Sequence, residues 1–177
     1  MKSMRGKREA IQQREDLSGE HKLGDAGQIL FACLFLVAWV ADTFFFKYST
    51  FLNQSVSLGI RIPVGIVLFL LSGYLAQKGL SIVFGEERQT PGVIRKSVFN
   101  FIRHPIYLSE ILLYLGFLMM SMSLVAVVVW IIAIGFLHYI SRYEEKLLLE
   151  HFGAEYEKYM REVPMWIPRL WSRQTSP

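Results

Sequence analysis

The stretch Arg103-His104-Pro105-Ile106-Tyr107 opens an apolar run, Ile106 to Met120, which turns at Ser121-Met122-Ser123 and returns as Leu124 to Ile140. Two apolar segments joined by so short a turn make a tight helical hairpin whose arms are antiparallel neighbours. A spanning helix needs about 20 predominantly apolar residues, so the first arm is short for a straight crossing. Two more apolar blocks precede the hairpin. Gln28 to Phe46 carries Asp42 as its one charge, and Leu58 to Gln77 carries Arg61, with Pro63 in its first turns. The 177 residues are 53% hydrophobic with a mean hydropathy of +0.33, too apolar for an ordinary soluble chain. The expected fold is all-α: an integral membrane helical bundle of about four transmembrane helices, spanning about 28–46, 58–77, 106–120 and 124–140. A tail over 1–25 precedes this single domain of 26–177, and helices over 141–177 close it.

Charge orients the bundle. Six basic residues lie between Lys2 and Lys22, five between Lys78 and Arg103, and six between Arg142 and Arg173. The connection from Lys47 to Arg61 holds those two alone, and the hairpin tip holds none. The positive-inside rule then puts both termini and the long middle connection, Phe84 to Phe101, in the cytoplasm of a multi-pass protein. The net charge of +4 is divided among segments rather than gathered in one stripe, which argues for membrane lipids and against nucleic acid. The apolar block begins too late and runs too long for a cleavable signal peptide.

Several chemistries find no support. Cys33 is the one cysteine, so there is no disulfide framework, and its expected place is a small core position. His21, His104, His138 and His151 lack close ligand spacing, and no metal is expected. Gly73, Gly79 and Gly85 form no phosphate-binding loop.

The polar residues at the hairpin's mouth are candidates for a site, because ionisable groups at the membrane edge are costly unless used. The same five residues also suit an interfacial anchor, with Arg103 snorkelling and Tyr107 in the aromatic belt. Glu144 and Glu145 have two readings as well. They can form a solvated helix face in which Glu145 pairs weakly with Arg142 or Lys146, or one of them can bind a cationic amine or sulfonium near the bilayer. The hairpin brings them to the depth of His104 and Tyr107. Glu110 and His138 lie slightly deeper, where a mutual contact would relieve the burial of Glu110. Gly85, Pro91 and Gly92 break the middle connection, and the residues between Gln89 and Ser97 can lie extended over a pocket. Beyond the hairpin, Leu147, Leu148, Leu149, Phe152, Tyr156 and Tyr159 repeat at helical spacing, Gly153 divides two helical pieces, and Pro164 and Pro168 end the second. Trp166 and Trp171 can then return to the interface.

These motifs together, Arg103 to Tyr107, Glu144 to Gly153, Tyr156, Tyr159, Val163-Pro164 and Ile167-Pro168, resemble the isoprenylcysteine carboxyl methyltransferase family, relatives of the phospholipid N-methyltransferases. The resemblance covers about the last ninety residues. It implies a helical membrane enzyme that uses S-adenosylmethionine in a cytoplasmic pocket, acting on a lipophilic small molecule or lipid at a carboxyl, amine or thiol. It further implies that His104, Pro105, Ile106 and Tyr107 contact the cofactor, that Glu144 or Glu145 binds its cationic amino-acid end, and that Gly92, Val93 and Ile94 line its adenosine side. A carboxyl acceptor would need a cation such as Arg142 to orient it; an amine or thiol would need a base, for which His104 or Glu145 could serve. The pattern departs from the family at Ser97 and Phe99, where Gly-x-Tyr is usual, at Ser109 for a glycine, and at Glu162 for a basic residue. Two other readings compete. Sterol-type reductases share a similar Arg-His-Pro-x-Tyr-x-x-Glu stretch, which Glu110 completes, and would bind NADPH through Arg95, Lys96 and Arg103. A non-catalytic membrane scaffold leaves the polar motif residues without a use.

Overall fold

A computed structural model describes residues 22–85 and 92–167. Helix α1, Lys22–Val40, runs on into a π-helical turn, Ala41–Phe46, and stops at Lys47 in the left-handed region. A short 3-10 turn, Phe51–Gln54, leads to α2, Leu58–Gly85. Pro63 lies in the second turn of α2, where the amide it lacks costs one intrahelical bond. A stretch without regular structure and a second 3-10 turn, Ser97–Asn100, precede α3, Pro105–Ser121. Pro105 is the first residue of α3, a position where its fixed φ helps and no amide is missed. Met122, with φ of 53°, reverses the chain, and Ser123 caps α4, Leu124–Phe152, by accepting from the Ala126 amide at 3.2 Å. Gly153, at φ of +54°, separates α4 from α5, Ala154–Glu162. The second apolar block therefore runs eight residues past Gln77, because nothing between Lys78 and Gly85 breaks a helix. The fourth likewise continues unbroken from Ile140 to Phe152.

Three helical stretches, Gly24–Phe46, Leu58–Phe84 and Leu124–Phe152, are long and apolar enough to cross a bilayer. The 17 residues of α3 rise roughly 25 Å, a little under the hydrocarbon thickness. The whole is a multi-pass membrane bundle of helices. Its outer faces carry large apolar side chains such as Val37, Phe45, Val67 and Leu70, each more than 60% exposed, as lipid-facing surfaces require.

Helix α3 is the spine. It packs chiefly against α2, where a Cβ on Gly116 would come within 2.6 Å of the Phe69 ring, so only glycine lets the two approach this closely. The buried Ser72 hydroxyl donates to the Ser109 carbonyl at 2.7 Å across the same contact. Ser109 turns its own hydroxyl back to the Ile106 carbonyl, so it adds no polar group to a binding surface. Helix α1 lies on α4 and touches α3 through a Phe35–Tyr114 stack at 4.4 Å. Indole donors stitch the rest: Trp39 to the Phe117 carbonyl and Trp130 to the Ile111 carbonyl, both at 3.0 Å. Cys33 is exposed on α1, not in the core, because the packed face of α1 is set by Phe31, Phe35 and Trp39. Glu110 accepts from the Tyr114 hydroxyl one turn on, rather than meeting His138, whose ring stands edge-on to Trp166. Trp171 and Pro168 lie outside the described residues, as does the tail up to residue 21.

At the hairpin tip the charges of the apolar blocks are absorbed. Asp42 accepts from the Ser49 amide at 3.0 Å and from the Ser49 and Ser123 hydroxyls at 2.5 Å each. Those same two serine oxygens accept from the Val125 and Ala126 amides at the start of α4. Arg61 donates to the Asn53 side chain and, at 3.1 Å, to the Met120 carbonyl.

Candidate functional site

The opposite end, where α3 starts, is built differently. The chain after α5 is zipped onto it by main-chain bonds from Arg103 to the Pro164 carbonyl and from His104 to the Met165 carbonyl, at 3.0 and 3.2 Å. Arg103 strengthens this junction. One guanidinium nitrogen donates to the Met160 and Val163 carbonyls at 2.7 and 2.9 Å, where the end of α5 leaves carbonyls unsatisfied, and the other lies 2.8 Å from Glu145. Glu145 is 2% exposed and also sits 3.3 Å from His104 Nε2. Far from a weak surface partner of Lys146, it is the anion around which the start of α3 and the end of α5 are assembled.

Glu144, one residue earlier, points elsewhere. It accepts from the Tyr107 hydroxyl and stands 3.6 Å from His104 Nδ1. The His104 and Tyr107 rings are nearly parallel, 5.6 Å apart. Burial holds the His104 pKa below the ordinary histidine value, with Glu145 acting in the opposite sense, so the imidazole is neutral at pH 7.

These side chains border a cavity of about 250 Å³. Along one side run Arg103, His104, Pro105, Ile106 and Tyr107; facing them are Glu144, Leu148 and Phe152 of α4. Gly92, Val93 and Ile94, outside any helix, also line it, as do Tyr156 and Tyr159 of α5. Both tyrosine hydroxyls are pushed up in pKa by burial, and that of Tyr159 donates to the Phe99 carbonyl at 2.7 Å. Phe99 thus lines the cavity with a ring while its main chain receives a phenol from α5. Glu162 faces away and pairs with Arg95, which holds its carboxyl below the usual range.

Of the residues singled out from the sequence, Gly92, Val93, Ile94, His104, Pro105, Ile106, Tyr107 and Glu144 share this one cavity. Glu145 lies behind it, and Arg142, 63% exposed and 3.7 Å from Glu145, does not reach the lining. Sequence reasoning missed Asp25 and Gln28, which line the cavity from α1, and Leu80, Val83 and Phe84, which line it from the extended end of α2. No local signal marks Asp25 or Gln28, because the packing of α1 on α4 brings them in. The α2 residues carry one signal, a helix that passes Lys78 without a breaker.

The arrangement is an apolar chamber at a membrane edge whose lining includes the His104 imidazole, three tyrosines and the Asp25 and Glu144 carboxylates, suited to a ligand that is largely apolar with a cationic group. Methanethiol S-methyltransferase 2 of Bradyrhizobium diazoefficiens is 30% identical over 112 residues, 59% of this chain but 38% of that protein, so the chain spans well under half of its length. No solved structure matches the chain. The model of the phospholipid methyltransferase family matches residues 60–155, more than half of the chain and all of α3, and on that match the chain belongs to the phospholipid methyltransferase family.

Proposed function

We propose that this protein transfers a methyl group from S-adenosylmethionine to a lipophilic acceptor, with both termini and the cavity on the cytoplasmic side. The observation that carries the reading is the meeting of His104, Tyr107 and Glu144, from opposite arms of the hairpin, on one largely apolar cavity. The residues suit the donor's chemistry. Glu144 would hold its ammonium group, and Val93, Ile94, Leu148 and Phe152 its adenosine side. When bound, S-adenosylmethionine supplies a methyl group on an electrophilic sulfonium. The chain aligns and desolvates the reactants, which is the main demand of an in-line displacement. Tyr107 fixes the Glu144 carboxylate, while Glu145 orients His104 and Arg103 from behind.

The acceptor is better read as a thiol or amine than as a carboxylate. A carboxylate needs a counter-cation, but Arg142 stands off the cavity and the terminal nitrogens of Arg103 are engaged by Glu145 and two carbonyls. A thiol or amine gives up a proton on methylation, and neutral His104 is placed on the wall to accept it. The name of the Bradyrhizobium relative points to the thiol. The reductase reading is disfavoured because Arg95 is paired with Glu162 and Arg103 is turned inward, which withdraws two of the three cations needed for a 2′-phosphate. Calorimetric titration of the detergent-purified protein tests the choice: S-adenosylhomocysteine should bind and NADPH should not, and the reverse result rejects the methyltransferase reading. The segmental distribution of basic residues supports the orientation, which reporters fused at either terminus would test.

A further inference from the structure

Arg142 stands off the cavity, and the helix face that carries it points outward. On α4, Val128, Ile132 and Gly135 follow one another at steps of four and three and are all exposed, so they mark a face turned to lipid. The same steps continue to Tyr139, then to Arg142 and Tyr143, and then to Lys146, all exposed as well. One row thus passes from aliphatic to tyrosine to cation along a single helix face. Arg142 stands roughly 27 Å along the axis from Leu124 at the hairpin tip, close to the thickness of a hydrocarbon core. Tyrosine at the boundary with cations just beyond it matches the order in which a leaflet presents its glycerol region and its phosphates. A solvated face would also suit two cations, but it would not call for their continuing the lipid-facing row. Among the described residues, Arg142 has one carboxylate within 4 Å, Glu145 at 3.7 Å, too far for a hydrogen bond, and Glu145 already has Arg103 at 2.8 Å. Lys146 comes no closer than 4.0 Å to Glu150. Both cations are held loosely at the depth of the phosphates.

We propose that this face of α4 docks the headgroup of an anionic phospholipid in the leaflet on the cavity side, with Arg142 and Lys146 pairing its phosphodiester and Tyr139 and Tyr143 flanking its glycerol region. The lipid class follows from charge. A zwitterionic headgroup brings its own ammonium, which two cations repel, whereas phosphatidylglycerol brings a phosphodiester alone. The docked lipid would share Arg142 with Glu145, the anion that joins α3 to α5. The proposal is independent of the methyl-transfer reading.

The test adds short-chain phosphatidylglycerol or phosphatidylcholine to the full chain in neutral detergent and reads affinity from the rise in unfolding temperature. Phosphatidylglycerol should bind more tightly. Arg142→Gln and Lys146→Gln should each weaken it by about fivefold, and change phosphatidylcholine by less than about twofold. Arg142→Lys should keep most of the preference. Lys158→Gln, at an exposed site on α5, should leave it unchanged. Lys146→Gln removes no partner of Glu145, so it decides the matter even where Arg142→Gln lowers the stability of the lipid-free chain. Equal binding of the two lipids, or binding of neither, overturns the proposal. So does a loss from Lys158→Gln as large as that from Lys146→Gln, which would mean diffuse charge rather than a docking face. Inorganic phosphate at the same concentration should not reproduce the rise; an equal rise would put a free anion in place of the lipid and overturn the assignment.

Discussion

The two ends of this bundle bury charge in opposite ways. At the hairpin tip, Asp42 takes three hydrogen bonds from two serines that in turn satisfy the first amides of α4, and the group closes on itself. At the start of α3, Glu144 and Glu145 are adjacent in sequence yet divided in task. Glu145 is consumed by Arg103 and His104, whereas Glu144 borders open space. A buried charge whose partners complete one another holds structure. A charge that lines a cavity, as Glu144 does, is placed where a ligand could reach it. Asp42 and Glu145 are hidden alike at 3% and 2% exposure, while the Glu144 side chain keeps 13%.

The largest expected effect breaks the structural half of the cavity end. Glu145→Gln leaves Arg103 buried without its anion and should destabilise the fold by about 3–5 kcal/mol. Limited proteolysis should then cut first between residues 153 and 167, and an unchanged cleavage pattern would disprove the junction. Asp42→Asn comes next. It removes charge-assisted bonds to Ser49 and Ser123 and should cost about 2–3 kcal/mol, read as a lowered unfolding midpoint, with S-adenosylhomocysteine affinity unchanged. A loss of affinity there would erase the distinction between the ends. Glu144→Gln should do the reverse, weakening S-adenosylhomocysteine binding by about 1.5–3 kcal/mol with little change in stability. Combined with Tyr107→Phe, it should be non-additive by more than about 0.5 kcal/mol, and additivity would separate the two residues energetically.

The smallest effect concerns pH. Burial lowers the His104 pKa from its ordinary 6.5, so the unfolded chain takes up a proton that the folded chain refuses. The stability tied to His104 is thus fully present above pH 6.5 and declines as pH falls from there toward the lowered value. His104→Gln should remove that part of the slope between unfolding midpoints at pH 7.5 and 5.5. An identical slope would show that other groups set it.

Much of this was legible in the sequence for physical reasons. Apolar blocks of spanning length and a three-residue turn admit few arrangements, and antiparallel arms put His104 and Glu144 at one depth. Individual contacts were not legible. Nothing local distinguishes Glu144 from Glu145, because one residue turns a helix by about 100° and only the position of α3 decides which carboxylate meets Arg103. Glu110 and His138 lie at similar depth on neighbouring helices, yet they find Tyr114 and Trp166 instead. Asp25 and Gln28 reach the cavity only because α1 settles against α4 through Gly24, a contact spanning more than a hundred residues.

The clasp between Arg103 and α5 has a consequence for how the protein is made. The apolar helices α1 to α4 leave the ribosome before α5, and they pack chiefly against one another. The cavity's far wall, Tyr156 and Tyr159, arrives only with α5, when the Met160 and Val163 carbonyls meet the guanidinium. Completion of the cavity would therefore follow insertion of the helices that carry its other walls. A chain halted at Gly153 would keep its apolar helices but lack the wall that Tyr156 and Tyr159 supply.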